Sequence, residues 1–286
     1  MNALRFEPEL ARAADHRRSG KRRPGVICVL GDAHLDVVVS ARGPVAEETD
    51  TPARTSVGVG GQAANVAAWV AALGGRARLI AARGTDLASQ LVAGELARRA
   101  VELAGPVIEG RTGVVVSLTD GTSRSMLTDR GVGPGLAARL LQPGWLDGCD
   151  WLHLPAYSLV AEPVAGAALA AAARMPRLSI DLSSTAALRA YGARRFGELI
   201  ARLRPDVVFG NEAEAALVGD LPGTELVVKL GPRGVRAAGT VFPALPTRPV
   251  DATGAGDAFA AGYLVGGIRL GLEAAARAVA TMGAMP

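Results

Sequence analysis

The run Thr253-Gly254-Ala255-Gly256-Asp257 holds the residue types best suited to chemistry in this chain. Three small residues in a row let a backbone turn tightly and leave its N–H groups bare. The small, apolar stretch Ala258–Leu264 follows at once and reads as a helix. Gly254, Ala255 and Gly256 therefore belong at a helix N-terminus, where free N–H groups and the helix dipole attract anions. Asp257, beside such an anion site, is a candidate general base next to a phosphate. The same residues could equally be a plain helix start, with Asp257 as N-cap between turn glycines.

A second glycine-rich loop runs from Gly58 through Gly60 and Gly61 to Asn65. It matches the G-x-G-x-x-A form of the dinucleotide fingerprint, but that motif wants a buried strand directly before it. Here Pro52–Ser56 precede it. The alternatives are a glycine pair that brings backbone close to a polyhydroxyl ligand, with Asn65 as donor and acceptor, or a simple helix entry. Earlier, Asp32, His34 and Asp36 alternate with apolar neighbours. In an extended strand this period of two puts all three on one face. The three histidines, His16, His34 and His153, are too scattered for a metal site, and His153 reads as a core residue. There is no P-loop, no G-x-S-x-G elbow, no H-E-x-x-H and no paired C-x-x-C. Cys28 and Cys149 lie in or beside apolar runs without metal-ligand spacing, and read as buried, reduced thiols of a cytoplasmic protein.

The elements that must hold these residues follow from the patterning. At 286 residues, with 49% hydrophobic residues, 36 glycines and only 4% aromatics, the chain suits a closely packed α/β protein. Short apolar runs at Val26–Leu30, Ala77–Ala82, Trp151–Leu154, Leu178–Asp181, Val207–Phe209 and Leu226–Leu230 read as strands, most of them running into polar loops. Val66–Leu73 and Leu87–Ala104 read as helices. Strand, loop and helix in alternation predict a mainly parallel, helix-covered sheet, whose ligands bind past the carboxyl ends of its strands. Residues 40–57 look like an excursion from that sheet, and Asp120-Gly121 is a hairpin signal between 112–119 and 123–128. The net charge is +4, with much of the excess in a basic tail over residues 1–24 that reads as disordered. No basic-aromatic interleaving points to nucleic acid, and no apolar run is long enough for a membrane span.

Taken together, these residues resemble the ribokinase-like (PfkB) carbohydrate kinases. Gly60-Gly61 through Asn65 is similar to that family's N-terminal signature, and Asp251 through Asp257 to its C-terminal signature. Gly31-Asp32 with Asp36, Asn211 with Glu214, and Lys229 with Gly231 and Gly234 resemble three smaller motifs in the same order. The resemblance spans about residues 26–286. It implies a three-layer sandwich with a small β lid, the kinase domain covering 25–286 and the lid formed by 37–58 and part of 112–130. It also implies ATP- and Mg²⁺-dependent phosphorylation of a hydroxyl on a sugar or nucleoside.

The residue roles it implies are these. Asp257 is the base, and the backbone of Gly254, Ala255 and Gly256 the anion hole. Asp32, Asp36, Gly60, Gly61 and Asn65 bind substrate. Asn211, Lys229, Gly231 and Gly234 bind ATP, and Glu214 reaches the metal through water. Relatives continue beyond Gly283–Pro286 into a final helix, which leaves a monovalent cation, and the completeness of this C-terminus, open. A homodimer through the lid is a further implication. Arg124 and Arg130 flank the hairpin strand, either as exposed lid residues or as a clamp for an anionic substrate group. A catalytically silent sensor and a dinucleotide-dependent oxidoreductase are the rival classes.

Overall fold

In the computed structural model, residues 25–120 and 124–286 are described. The basic tail expected over 1–24 lies outside the described residues. Along the chain the strands are β1 (Val26–Leu30), β2 (His34–Ala41), β3 (Ala53–Gly60), β4 (Arg76–Ile80), β5 (Val101–Ala104), β6 (Thr112–Thr119), β7 (Arg124–Gly131), β8 (Cys149–Pro155), β9 (Leu178–Asp181), β10 (Val207–Asn211), β11 (Glu225–Lys229), β12 (Val235–Ala237) and β13 (Thr240–Phe242). The helices are α1 (Gln62–Ala72), α2 (Leu87–Arg98), α3 (Tyr157–Val160), α4 (Val164–Ala172), α5 (Thr185–Tyr191), α6 (Ala193–Leu203), α7 (Glu212–Val218) and α8 (Ala255–Val279).

Nine strands form one sheet in the order β13-β12-β11-β10-β9-β8-β1-β4-β5. It is parallel from β11 to β5, and β12 and β13 add an antiparallel edge. Strand alternation divides the core in two. Ile27 and Val29 of β1 pack into one layer with α1, α2 and α8, while Val26, Cys28 and Leu30 pack into the other with α4 and α6. The result is helix, sheet, helix, as the alternating pattern predicts. Local signals explain the helices. In α6 the buried Phe196, Leu199 and Ile200 fall at a helical spacing, with Arg194, Arg195 and Glu198 turned outward. Asp86 caps α2 by accepting from Ser89 N at 3.1 Å. Among the described residues no helix is long and apolar enough to cross a membrane.

The excursion and the hairpin build a second sheet, in the order β3-β2-β6-β7. β2 pairs antiparallel with β3 and parallel with β6, and β7 folds back antiparallel on β6.

Three expectations need correction. The helix expected over 87–104 ends at Arg98, and Val101–Ala104 is strand β5. Ala100, at φ 57°, turns the chain between them, so the apolar run serves two elements. The first helix begins at Gln62 rather than Val66, because the buried alanines Ala63 and Ala64 already sit on its packed face. Finally, Cys28 and Cys149 are not free thiols but a disulfide between β1 and β8, and no free cysteine is present among the described residues.

Candidate active site

The parallel register brings three chemically capable side chains to one edge. Asp181, Asn211 and Lys229 end the neighbouring strands β9, β10 and β11. Asp181 is paired with Phe209, and Asn211 with Lys229. With a period of two, all three project to the face that Phe209 shares with α8. Asn211 also starts α7. Its side chain accepts from Glu214 N, and Glu214 Oε2 accepts from Asn211 N, both at 2.9 Å, which is a capping box. Burial raises the Glu214 carboxyl above its ordinary value.

Above this edge, Gly254 takes up φ 75° and turns the chain into α8. An L residue there would be strained, and a Cβ would also lie 2.6 Å from the Ala284 backbone. Ala255 N donates to Ala252 O at 3.3 Å, whereas the N–H groups of Gly254, Gly256 and Asp257 make no backbone hydrogen bond. The loop thus offers free donors at a helix N-terminus, one fewer than a fully open turn would. Asp251 steadies it, accepting from Thr253 N, Thr253 Oγ1 and Gly283 N at 2.7 to 3.0 Å.

Asp257 faces both the loop and α1. Asn65 Nδ2 donates to Asp257 Oδ2 at 2.9 Å. Burial pushes the Asp257 carboxyl up to about 7; Asp181 and Asp32 add to the rise, while Asn65 and Lys229 oppose it. Lys229 Nζ lies 2.7 Å from Asp181 Oδ2. Burial alone would lower the ammonium, but Asp181 and, more weakly, Asp257 and Glu214 hold it above its ordinary value.

On the far side of Asn65, Asp32, His34 and Asp36 line a cavity of about 970 Å³. His34 Nδ1 is 2.9 Å from Asp36 Oδ1, and His34 Nε2 is 3.7 Å from Asp32 Oδ2. Burial would lower the His34 imidazole, yet the two carboxylates raise it. Gly60 lets the Asp36 carboxylate lie close to the backbone, since a Cβ there would sit 2.1 Å from Asp36 Oδ2 and push that side chain aside. Val57, Met126, Arg130 and Tyr157 are among the other residues of the cavity wall, with Arg130 over the Tyr157 ring at 5.1 Å.

The structure therefore gathers Asp32, Asp36, Gly60, Gly61 and Asn65 on one side of Asp257, and Lys229, Asn211 and Glu214 on the other. Gly231 and Gly234 bracket the turn between β11 and β12. Gly58 and Gly60 are strand residues of the small sheet, so the dinucleotide fingerprint lacks both its parallel strand and its turn. His153 is a core residue as expected, with Nδ1 2.9 Å from Ser179 Oγ. Asp181 was not singled out by the sequence, although it ends an apolar run and opens a polar loop just as Asn211 does. Among the described residues no three His, Cys, Asp or Glu side chains cluster as a metal cage.

The chain is similar to known kinases over most of its length. The model of the pfkB family carbohydrate kinases matches residues 26–285. The chain is 31% identical to an ATP-dependent ribose-1-phosphate kinase of Halopiger xanaduensis over 226 residues, 72% of each chain. It is 31% identical over 270 residues to a fructokinase of Klebsiella pneumoniae, 85% of this chain and 84% of that one. In structure it resembles a putative ribokinase II of E. coli solved with ATP and Mg²⁺, at a TM-score of 0.78 and 21% identity over 91% of this chain and 94% of the other.

Proposed function

Since the chain belongs to the pfkB family of carbohydrate kinases, we propose that it transfers a phosphoryl group from ATP to a hydroxyl of a sugar or sugar derivative, with Asp257 as general base. One observation carries this reading. The Asn65–Asp257 hydrogen bond ties a carboxylate at a helix N-terminus to the polar cavity wall of Asp32 and Asp36. Phosphoryl transfer asks for positioning and charge neutralisation more than covalent chemistry. Asp36 and Asn65 would hold substrate hydroxyls, with Asp32 and the Gly60 and Gly61 backbone beside them. Asp257 Oδ2 is occupied by Asn65, so Oδ1 would take the proton of the attacking hydroxyl. A pKa of about 7 suits a base working near neutrality. The free N–H groups of Gly254 and Gly256 would meet the charge on the transferred group.

Asn211, Lys229, Gly231 and Gly234 stand on the nucleotide side. Glu214 uses Oε2 in its cap and keeps Oε1. A single carboxylate oxygen, with no protein cage among the described residues, fits a Mg²⁺ that keeps most of its waters. When bound with ATP, that ion supplies charge neutralisation across the phosphates.

A nucleoside is the second reading, because the apolar wall of Val57, Met126 and Tyr157 suits a planar base. An ATP-consumption screen over pentoses, hexoses, sugar acids, sugar phosphates and nucleosides decides between them. Turnover with none of these would sink the kinase assignment. On the accepted substrate, Gly60→Ala is expected to raise its KM about tenfold by displacing Asp36, with the KM for ATP unchanged; steady-state kinetics in both substrates checks this. The small sheet is also the proposed dimer contact, which the mass in solution measured by light scattering would test.

A further inference from the structure

The Lys229–Asp181 pair is the polar feature next to Asp257 that the reaction scheme leaves without a specific task. Asp181 is 1% exposed, and the Lys229 side chain 19%. An ammonium carries three donors, and among the described residues only the one to Asp181 has a partner. Its place is set by Gly256, since a Cβ built on that glycine would lie 3.1 Å from Nζ. The ammonium therefore rests against the middle of the anion loop with two donors unspent. Holding the sheet together does not explain it. β9 and β11 are already joined through β10 by backbone ladders, and buried ion pairs add little net stability.

We propose that Lys229 is a catalytic residue, its ammonium set over the anion loop to hold the transferred phosphoryl group, and that Asp181 is the positioning residue that keeps it there. This rests on the kinase reading above and gives Lys229 a different task from lining the nucleotide. In the step itself the substrate oxygen forms a bond to the γ-phosphorus. The bond from that phosphorus to the β–γ bridging oxygen breaks, ADP leaves with the electron pair, and Asp257 receives the hydroxyl proton. Lys229 stays protonated throughout and only neutralises charge. Before ATP arrives, Asp181 balances it.

The test uses Lys229→Met, Asp181→Asn and the double variant on the full chain, with the substrate found in the screen. Lys229→Met is expected to lower kcat about 10²- to 10³-fold while the Kd for ADP, measured by calorimetry, stays within about threefold. Asp181→Asn is expected to lose about 10- to 100-fold through a misplaced ammonium. The acid limb of kcat/KM should also move in opposite directions. Removing the Asp181 charge lowers the Asp257 pKa, whereas removing the Lys229 charge raises it. That opposition reports only the pair's electrostatic coupling to Asp257; the loss of kcat at an unchanged Kd for ADP is the readout that a merely structural pair would not give. If Lys229→Met unfolds because Asp181 is left unpaired, the double variant replaces it and should show the same loss in kcat. A kcat within about threefold of the parent, with ATP and ADP weakened together, would overturn the proposal. In that event an inactive Asp257→Asn leaves the kinase reading standing, while a parent protein that turns over no hydroxyl substrate removes the kinase reading itself.

Discussion

Asp257→Asn is expected to lower kcat by about 10²- to 10⁴-fold while ATP and ADP bind as they do to the parent protein. The amide keeps the size of the carboxylate and can keep a hydrogen bond with Asn65, but it cannot accept the proton. The parent protein should also show an acid limb in kcat/KM near pH 7, falling tenfold per pH unit below it, because Asp257 must be ionised to act and its pKa is about 7. The same shift has a consequence for stability. In the unfolded chain the group titrates near 3.8, so the folded state favours its protonated form. The strain of keeping the carboxylate ionised is absent below about pH 4, grows as the pH rises to about 7, and is constant above. Asp257→Asn should therefore be more stable than the parent at pH 8, with the gain shrinking toward pH 4. Turnover close to that of the parent would defeat the base assignment, and a stability gain independent of pH would defeat the electrostatic account.

Phe209→Ala is expected to cost about 3–5 kcal/mol of stability. Phe209 is fully buried and meets Phe259 and Tyr263 edge-on at 6.1 and 5.2 Å, and His153 at 6.2 Å. Its partners Phe259 and Tyr263 lie in the first turns of α8, just past the anion loop, and Asn211 is two residues along β10. The cavity would thus loosen both the loop and the nucleotide side. Urea denaturation should show a lower midpoint with an unchanged slope, and the KM for ATP should rise. Phe209→Leu should recover much of the loss. A loss below about 1 kcal/mol for Phe209→Ala would mean that α8 is held by something other than this aromatic cluster.

The loops around Asp257 and Asn65 were legible because their chemistry is local. Small residues, a following helix and a polar side chain at fixed spacing carry their own physical reasons. The layered sheet was legible for a similar reason, since buried parallel strands are short apolar runs and their loops are polar. Asp181 was not, because its meaning comes only from register. Nothing within β9 says that Lys229, 48 residues further on, ends a strand two places away. β5 was hidden because Val101–Ala104 continues the apolar pattern of α2, and only the turn at Ala100 separates them. The Cys28–Cys149 pairing joins residues 121 positions apart, a distance over which spacing carries no information.

The two sheets also divide the labour of the molecule. Asp36, Val57, Met126 and Arg130 belong to the small sheet, whereas Asp181, Asn211 and Lys229 belong to the large one. On the proposed reading, drift in the four strands of the small sheet would retune which compound is accepted, while the residues that end β9, β10 and β11 would stay as they were. A chimaera carrying another relative's small sheet would be the laboratory form of that history.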